Sequence, residues 1–276
     1  MTDRYAVVGN PIQHSKSPSI HRLFAQQCSQ DLSYDSLEAP LEDFSQTVLT
    51  FFAKGGRGLN VTVPFKEQAW SLACRLTPRA RLAGAVNTLY IDPAGQLCGD
   101  TTDGVGLLED IIHNHQGRIE GQRVLVLGAG GAVRGVLEPL LQKRPQRVLV
   151  ANRTPAKAQE LAQVFTALGA ISGCGFEEIE GSFDLIINGT SASLQGELPP
   201  LPAGVLAPGG WCYDLMYGAE PTPFMDWAQQ QGAAKTLDGL GMLVEQAAES
   251  FQLWRGVRPI TSAIITAVRE NLKETT

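Results

Sequence analysis

The chain has 276 residues, 43% of them hydrophobic and 18% charged, with a formal net charge of −6. That is enough apolar material for one large or two ordinary domain cores, and it excludes a disordered chain. Net acidity without a basic stripe argues against nucleic acid or an anionic membrane as partner, and the N-terminus MTDRYAVVGNP lacks the long apolar run of a signal peptide or membrane anchor.

Strand-like and helix-like segments alternate from the start. Residues 5–8 (YAVV) are a short apolar run ending at Gly9-Asn10-Pro11, which predicts a strand. Residues 17–28 carry Ile20, Leu23, Phe24 and Gln27 at helical spacing, with Pro18 in the first turn. A second strand is expected over 33–38. Leu41, Phe44, Val48, Phe51 and Phe52 mark a second helix, stopped by Gly55-Gly56. Residues 60–63 (NVTV) alternate as a third strand, with Val61 and Val63 expected to face the core and Asn60 and Thr62 the opposite side. Two short helices follow over 65–84, then a strand over 87–92 closed by a turn at Pro93-Ala94-Gly95. This β-α-β-α order implies a mostly parallel sheet with covered faces.

A second series begins at Gln122. Strands are expected over 123–127, 147–151, 183–187 and 210–215, and helices over 130–142 and 154–168. The chain ends in two helices, over 239–255 and 260–272, and the Pro-rich 198–202 reads as a surface loop. The boundary between the series falls near 100–120. The five cysteines (28, 74, 98, 174, 212) are odd in number and form no C-x-x-C, so reduced thiols in a cytoplasmic protein are expected. His113 and His115 are two apart on a helical stretch and cannot share a face, so no metal site is expected.

Residues 123–135 read RVLVLGAGGAVRG: a strand, then Gly128-Ala129-Gly130-Gly131-Ala132, then a helix. Gly128 permits a tight turn, Gly130 lets backbone approach a pyrophosphate, and the helix N-terminus offers free N–H groups and a positive dipole end. Val133 stands at the third glycine position of the dinucleotide fingerprint, but the strand–turn–helix context favours a dinucleotide site over a bare βα turn. The next strand ends in Asn152-Arg153-Thr154, with Lys157 a turn later, where an NAD site usually carries Asp or Glu. A guanidinium there suits the 2′-phosphate of NADP, and Thr154 can cap the helix and also donate to that phosphate.

Polar clusters mark the strand ends of the first series: Asn10 to Pro18 with Ser15 and Ser17, Asn60 to Lys66, Asn87-Thr88, and Gly99 to Gly104. Ligands lie at the carboxyl ends of strands in open parallel sheets. Each residue alone has a plain reading, Lys66 as a solvated lysine and Asp103 as a helix cap. Together, beside a hydride carrier, they suit a small, polyhydroxylated, anionic substrate.

At this point the chain resembles the shikimate dehydrogenase (AroE) family. The motifs are GNPIQHSKSPSIH (9–21), NVTVPFKE (60–67), GAVNTL (84–89), TDGVG (102–106), GAGGA (128–132), NRT (152–154), YDLMY (213–217), TPF (222–224) and DGLGMLVEQAA (238–248), in family order over nearly the whole length. The resemblance implies a two-domain α/β fold: a mostly parallel α/β substrate domain (1–101), a Rossmann-type NADP domain (102–238), and C-terminal helices (239–276) that return to the first. It implies NADPH-dependent reduction of 3-dehydroshikimate to shikimate, in the cytoplasm, by a monomer or homodimer. By motif match Lys66 and Asp103 would be the catalytic pair. Ser15, Ser17 and Thr62 would hold the substrate carboxylate, with Tyr217 nearby, and Asn60, Asn87, Asp103 and Gln246 would bind ring hydroxyls. Residues Gly128, Ala129, Gly130, Gly131 and Ala132, then Asn152, Arg153, Thr154 and Lys157, and finally Leu215 and Gly239 would line the cofactor. Three positions depart from the family pattern: Thr101 where Asn is common, Val133 where a smaller residue is common, and Gly189 where Ala is common. Alternatives are a quinate/shikimate dehydrogenase, often NAD-dependent, another two-domain NADP enzyme such as a methylenetetrahydrofolate dehydrogenase, and a non-catalytic NADP sensor.

Overall fold

The computed structural model describes residues 2–190, 192 and 196–274. The strands form two six-stranded sheets. The first holds β1 (Asp3–Gly9), β2 (Leu32–Glu38), β3 (Gly56–Val61), β4 (Arg75–Leu76), β5 (Thr88–Ile91) and β6 (Leu97–Asp100), in the order β2-β1-β3-β5-β6-β4. β1 runs parallel to β2 and β3, and β4 to β6. β5 is antiparallel to both neighbours; the tight turn around Asp92 joins it to β6 as a hairpin. Four helices attend this sheet: α1 (Ser17–Gln27), α2 (Phe44–Ala53), α3 (Lys66–Leu72) and α4 (Pro78–Ala83).

α5 (Asp103–Leu108) continues as a π-helical stretch, Glu109–Asn114, and leads to the second sheet. That sheet comprises β7 (Arg123–Leu127), β8 (Arg147–Ala151), β9 (Ile171–Cys174), β10 (Phe183–Asn188), β11 (Leu206–Asp214) and β12 (Lys235–Leu237), with α6 (Gly131–Gln142), α7 (Pro155–Phe165) and α8 (Pro223–Gln230). Every pairing in it is parallel. Its order, β9-β8-β7-β10-β11-β12, is the doubly wound dinucleotide arrangement, with the reversal of direction between β7 and β10. Both faces are covered: Val124 and Val126 enter one core cluster, and Leu125 and Leu127 the opposite one. α9 (Leu240–Arg255) and α10 (Ser262–Glu274) then pack against α1, through Ile20, Phe24, Leu240, Val244, Phe251 and Ile264.

The third strand begins earlier than the alternation of 60–63 suggests. Gly56 pairs with Arg4 and Gly58 with Tyr5, so the ladder starts at Gly56, and the stop after the second helix is confined to Lys54 and Gly55. Glycine serves there because aromatic rings lie on the strand. A Cβ on Gly58 would fall 2.5 Å from Trp254 Cε2, and one on Gly56 would overlap Phe51. The strand ends before Val63, which is 65% exposed, contrary to the expected inward face. Asn60, expected on the other side, is buried. The short elements β4, β6, β9 and β12 and the helix α8 have no counterpart in the sequence reading.

Trp254 belongs to an aromatic group that closes the α1 side of the first sheet. His21 stacks on Tyr34, with ring centroids 4.1 Å apart and planes 6° apart, and it also contacts Phe24, Phe251 and Trp254. Neither imidazole nitrogen has a hydrogen-bond partner, and burial drives the His21 pKa down to about 3, weakly opposed by Asn60. An unfolded histidine titrates near 6.5. The unfolded chain therefore binds the extra proton between pH 6.5 and about 3, and stability falls as the pH drops through that window. The expected slope from this residue is roughly 1.4 kcal/mol per pH unit. Urea unfolding across this range should show a flatter pH dependence for His21→Phe than for the parent. Parallel curves would show that His21 charges freely in the folded state.

Candidate active site

The site is built where β3 and β6 of the first sheet end, where the antiparallel β5 starts and where α6 begins. After β3, the chain turns with Phe65 N–H donating to the Thr62 carbonyl. Phe65 is fully buried and stacks on Phe44 at 4.7 Å, which anchors the start of α3. Lys66 is the first residue of that helix. After β6, the Asp100 carboxylate is gripped by Arg79 (2.8 and 2.6 Å), by Thr77 Oγ1 (2.5 Å) and by the Thr101 N–H (2.8 Å). This grip sets the path of Thr101-Thr102 into α5, whose first residue is Asp103. Both segments deliver their charges to one point: Lys66 Nζ donates to Asp103 Oδ2 at 2.5 Å, with the side chains 14% and 6% exposed.

The other Asp103 oxygen accepts from Asn87 Nδ2 at 2.9 Å. Asn87, just before β5, also donates to Thr102 Oγ1 and to Gln246 Oε1 of α9. Its own oxygen accepts from the Thr88 hydroxyl at 2.8 Å and the Thr102 N–H at 2.9 Å. Asn60 donates to Thr88 and Ser250, and accepts from the Tyr34 hydroxyl at 2.7 Å. Burial pushes the Tyr34 phenol well up, opposed by the neighbouring Ser17 hydroxyl. A continuous polar chain thus runs from Ser17 through Tyr34, Asn60, Thr88 and Asn87 to Asp103 and Lys66. Nearly every buried polar atom along it has a partner, which holds the carboxylate in one place.

Of the expected substrate residues, Lys66, Asp103, Asn60, Asn87 and Gln246 meet directly in this network, and Ser17 borders it. Ser15 Oγ accepts the Ser17 N–H at 3.3 Å. Thr62 lies at the end of β3 with its methyl against Gly9. Tyr217 packs beside the α1–α9 apolar cluster, and burial pushes its phenol up. Tyr34 and Ser250 were not foreseen as members, and Thr88 and Thr102 only as parts of the polar clusters at 87–88 and 99–104. Ser250 was within reach of the sequence: it sits one helical turn after Gln246, on the same face.

The second sheet supplies the other wall. Gly128 has φ +104° and donates its N–H to the Ala151 carbonyl at 2.7 Å. Gly130 stands at the N-cap of α6, no side chain caps that helix, and no acidic residue occupies its first turn. A Cβ on Gly130 would meet nothing within 4 Å, so the helix start faces open space. Bare N–H groups, a positive dipole end and an open approach fit a dinucleotide pyrophosphate. Arg153, Thr154 and Lys157 are exposed at the end of β8. Thr154 occupies the α7 N-cap position, yet its side chain caps nothing, contrary to the expected role. Asn152 Nδ2 holds the turn by donating to the Thr154 carbonyl at 3.1 Å. Gly239 lies so close to the Leu215 carbonyl that a Cβ would overlap it. The α6 start also abuts the Lys66–Asp103 pair: a Cβ on Gly131 would lie 3.3 Å from Lys66 Cβ and 3.5 Å from its Cδ. Among the described residues, no group of three or more His, Cys, Asp and Glu is placed to hold a metal ion.

Three family models match the chain in order: the shikimate dehydrogenase substrate binding domain over residues 7–89, shikimate / quinate 5-dehydrogenase over 110–195, and the shikimate 5′-dehydrogenase C-terminal domain over 239–269. A shikimate dehydrogenase (NADP(+)) from Alkalilimnicola ehrlichii is 60% identical over 269 residues, covering 98% of this chain and 99% of that protein. Its counterpart from Cellvibrio japonicus is 59% identical over 275 residues, covering 99% of each. Among solved structures, an Ael1 enzyme from Pseudomonas putida superposes with a TM-score of 0.88 at 49% identity, covering 96% of this chain and 98% of that one. Shikimate 5-dehydrogenase from Thermus thermophilus, in complex with NADP(H) and shikimate, gives 0.87 at 33% identity, covering 98% and 100%.

Two of the noted departures compensate one another. A Cβ on Gly189 would overlap Val133 Cγ2, so the larger side chain in α6 fills the room that an alanine at 189 would take. Gly189 in turn backs the glycine turn, its carbonyl oxygen lying 3.0 Å from where a Gly128 Cβ would be. Gly189→Ala should cost about 1–3 kcal/mol by overpacking. Val133→Ala alone leaves a cavity costing about 2–3 kcal/mol. The double variant should be more stable than the sum of the two by at least about 1 kcal/mol in urea unfolding. Strict additivity would show that the two side chains do not share that space.

Proposed function

Because this chain belongs to the shikimate dehydrogenase family, we propose that the cleft between its two sheets binds 3-dehydroshikimate and NADPH, with Lys66 and Asp103 as its acid–base pair. The chain is an NADP-dependent oxidoreductase whose reaction, reversible reduction of 3-dehydroshikimate to shikimate, serves aromatic amino-acid biosynthesis. The observation that carries the assignment of roles is the 2.5 Å contact of Lys66 with Asp103 beside the start of α6.

Residues 128–132 would hold NADPH, with Asn152, Arg153, Thr154 and Lys157 toward its 2′-phosphate and Leu215 and Gly239 alongside, and the bound cofactor would supply a hydride for the ketone carbon. As negative charge builds on the ketone oxygen, the Lys66 ammonium stabilises it and donates the proton. Asp103 keeps the ammonium in place through Oδ2 and accepts from the neighbouring substrate hydroxyl. Asn60, Asn87 and Gln246 take ring hydroxyls, exchanging hydrogen bonds they now make among themselves. Ser15, Ser17 and Thr62 receive the substrate carboxylate, with Tyr217 beside them. In the return direction the same lysine, neutral after donation, accepts the hydroxyl proton.

Residues 1–101 with 239–276 are assigned to the substrate unit and 102–238 to the cofactor unit. The packing of α9 and α10 on α1, and the Gln246 and Ser250 contacts with Asn87 and Asn60, support that division. Five free thiols are in keeping with a cytoplasmic enzyme; a monomer or homodimer is proposed from the family resemblance alone. Among the described residues, no helix is long and apolar enough to cross a membrane.

Lys66→Ala should lower kcat for shikimate oxidation by roughly a hundredfold or more while the circular dichroism spectrum is kept. Near-normal turnover would remove Lys66 as the acid–base group. Arg153→Ala should raise KM for NADPH strongly and KM for NADH little, and equal effects on both would contradict a phosphate contact. Rates on quinate with each cofactor separate this reading from a quinate-accepting enzyme.

A further inference from the structure

Resting on the assignment of Lys66 and Asp103 as the acid–base pair, we propose that Gly135 is a positioning residue for that pair, a bare patch of α6 against which Asp103 is seated. Gly131 and Gly135 are four residues apart and so share one face of α6. That face looks at both members of the pair. Gly131 meets the Lys66 side chain. A Cβ on Gly135 would lie 2.8 Å from Thr101 Oγ1, 3.1 Å from Asp103 Oδ2 and 3.2 Å from Asp103 Cβ. The helix that presents its N-terminus to the cofactor therefore also sets the back wall of the carboxylate that holds the proton donor.

None of these contacts has slack. Thr101 and Asp103 are 2% and 4% exposed. Thr101 is β-branched and buried, so of its two other rotamers one brings the methyl into the same space and the other moves methyl and hydroxyl together within the packed interior. The hydroxyl has no hydrogen-bond partner, so packing rather than bonding keeps it there. Withdrawal of α6 is resisted from the next residue of α5. A Cβ on Gly104 would lie 2.6 Å from the Gly135 carbonyl oxygen and 2.7 Å from Pro139 Cγ. Pro139, inside α6, has no N–H to give to the Gly135 carbonyl four residues back. That oxygen is covered instead by the bare α carbon of Gly104, a close approach of two backbones that only glycine permits. Any side chain at 135 must move Asp103, Thr101 or the crossing of α5 over α6. Each of these alters the reach from Asp103 to Lys66.

The test is Gly135→Ala, alone and with Thr101→Ala, read by kcat for shikimate oxidation, by the dissociation constant of NADP+ from calorimetry, and by Tm. A mid-helix Gly→Ala change at an indifferent position would leave activity intact and raise stability, because alanine is the better helix former. The expected result is a kcat lower by about tenfold or more, since a misplacement of a fraction of an ångström is costly in a reacting constellation. NADP+ affinity should stay within about twofold, because the dinucleotide turn lies a full helical turn away. Removing the Thr101 side chain should restore at least about threefold of the lost kcat, as expected for residues that share space. Parent-like kcat in Gly135→Ala, a kcat loss matched by an equal loss of NADP+ affinity, or no recovery in the double variant would each overturn the proposal. If the single variant does not fold, the double variant is compared with Thr101→Ala: a kcat lower by about threefold at equal NADP+ affinity supports the seat, and equal kcat overturns it. Full turnover in Lys66→Ala would instead overturn the underlying assignment of the acid. An inactive Lys66→Ala beside a fully active Gly135→Ala removes only the role of Gly135.

Discussion

The ion pair between Lys66 and Asp103 is the contact on which the site depends. Its members come from the ends of different strands and are both largely withdrawn from water. Burying two charges is unfavourable unless they are closely paired and the remaining lone pairs are satisfied, and leaving one uncompensated costs roughly 3–5 kcal/mol. Much of the surrounding structure meets those conditions. Asn87 satisfies the second Asp103 oxygen. Arg79 and Thr77 clamp Asp100, and so direct the turn that presents Asp103. Phe65, wedged against Phe44, fixes the point at which Lys66 emerges.

The two chain connections between the sheets lie against each other beside this pair. α5 leads out of the first sheet and α9 leads back. A Cβ on Gly106 of α5 would fall 2.7 Å from the Gln246 nitrogen and the Met242 carbonyl oxygen of α9. Just beyond, buried Asp110 accepts from the Tyr213 hydroxyl at 2.7 Å and from Asn114 at 3.0 Å, tying the π-helical stretch to β11. Burial pushes the Asp110 carboxyl up, and the hydrogen bonds from Asn114 and Tyr213 oppose it. α9 thus reaches the polar network around Asn87 and Asn60 with Gln246 and Ser250, although it follows the last strand of the second sheet.

The doubly wound sheet was legible because its strands are buried on both faces and read as unbroken apolar runs, and because a glycine turn between strand and helix has a mechanical cause. Lys66 was legible only in combination, as one of several polar strand ends beside a hydride carrier. What escaped did so for physical reasons. Gly56 and Gly58 look like a loop, since the cue for a strand is a side chain and here aromatic rings from α2 and α9 take the place of one. β9 and β12 are too short to show a period, and Gly173 in β9 is pressed against the backbone of α7. Tyr34 reads as an ordinary strand residue, because its partner Asn60 is set by sheet order and not by local spacing.

The account holds that Lys66 and Asp103 act as one unit, so the most direct measurement is the kcat of the double variant Lys66→Ala/Asp103→Asn beside each single variant. Groups that work as a unit lose their effect together, and their removal is far from additive. The account predicts that the double variant is no slower than Lys66→Ala, within about twofold. Losses that multiply would show two independent contributions and contradict it.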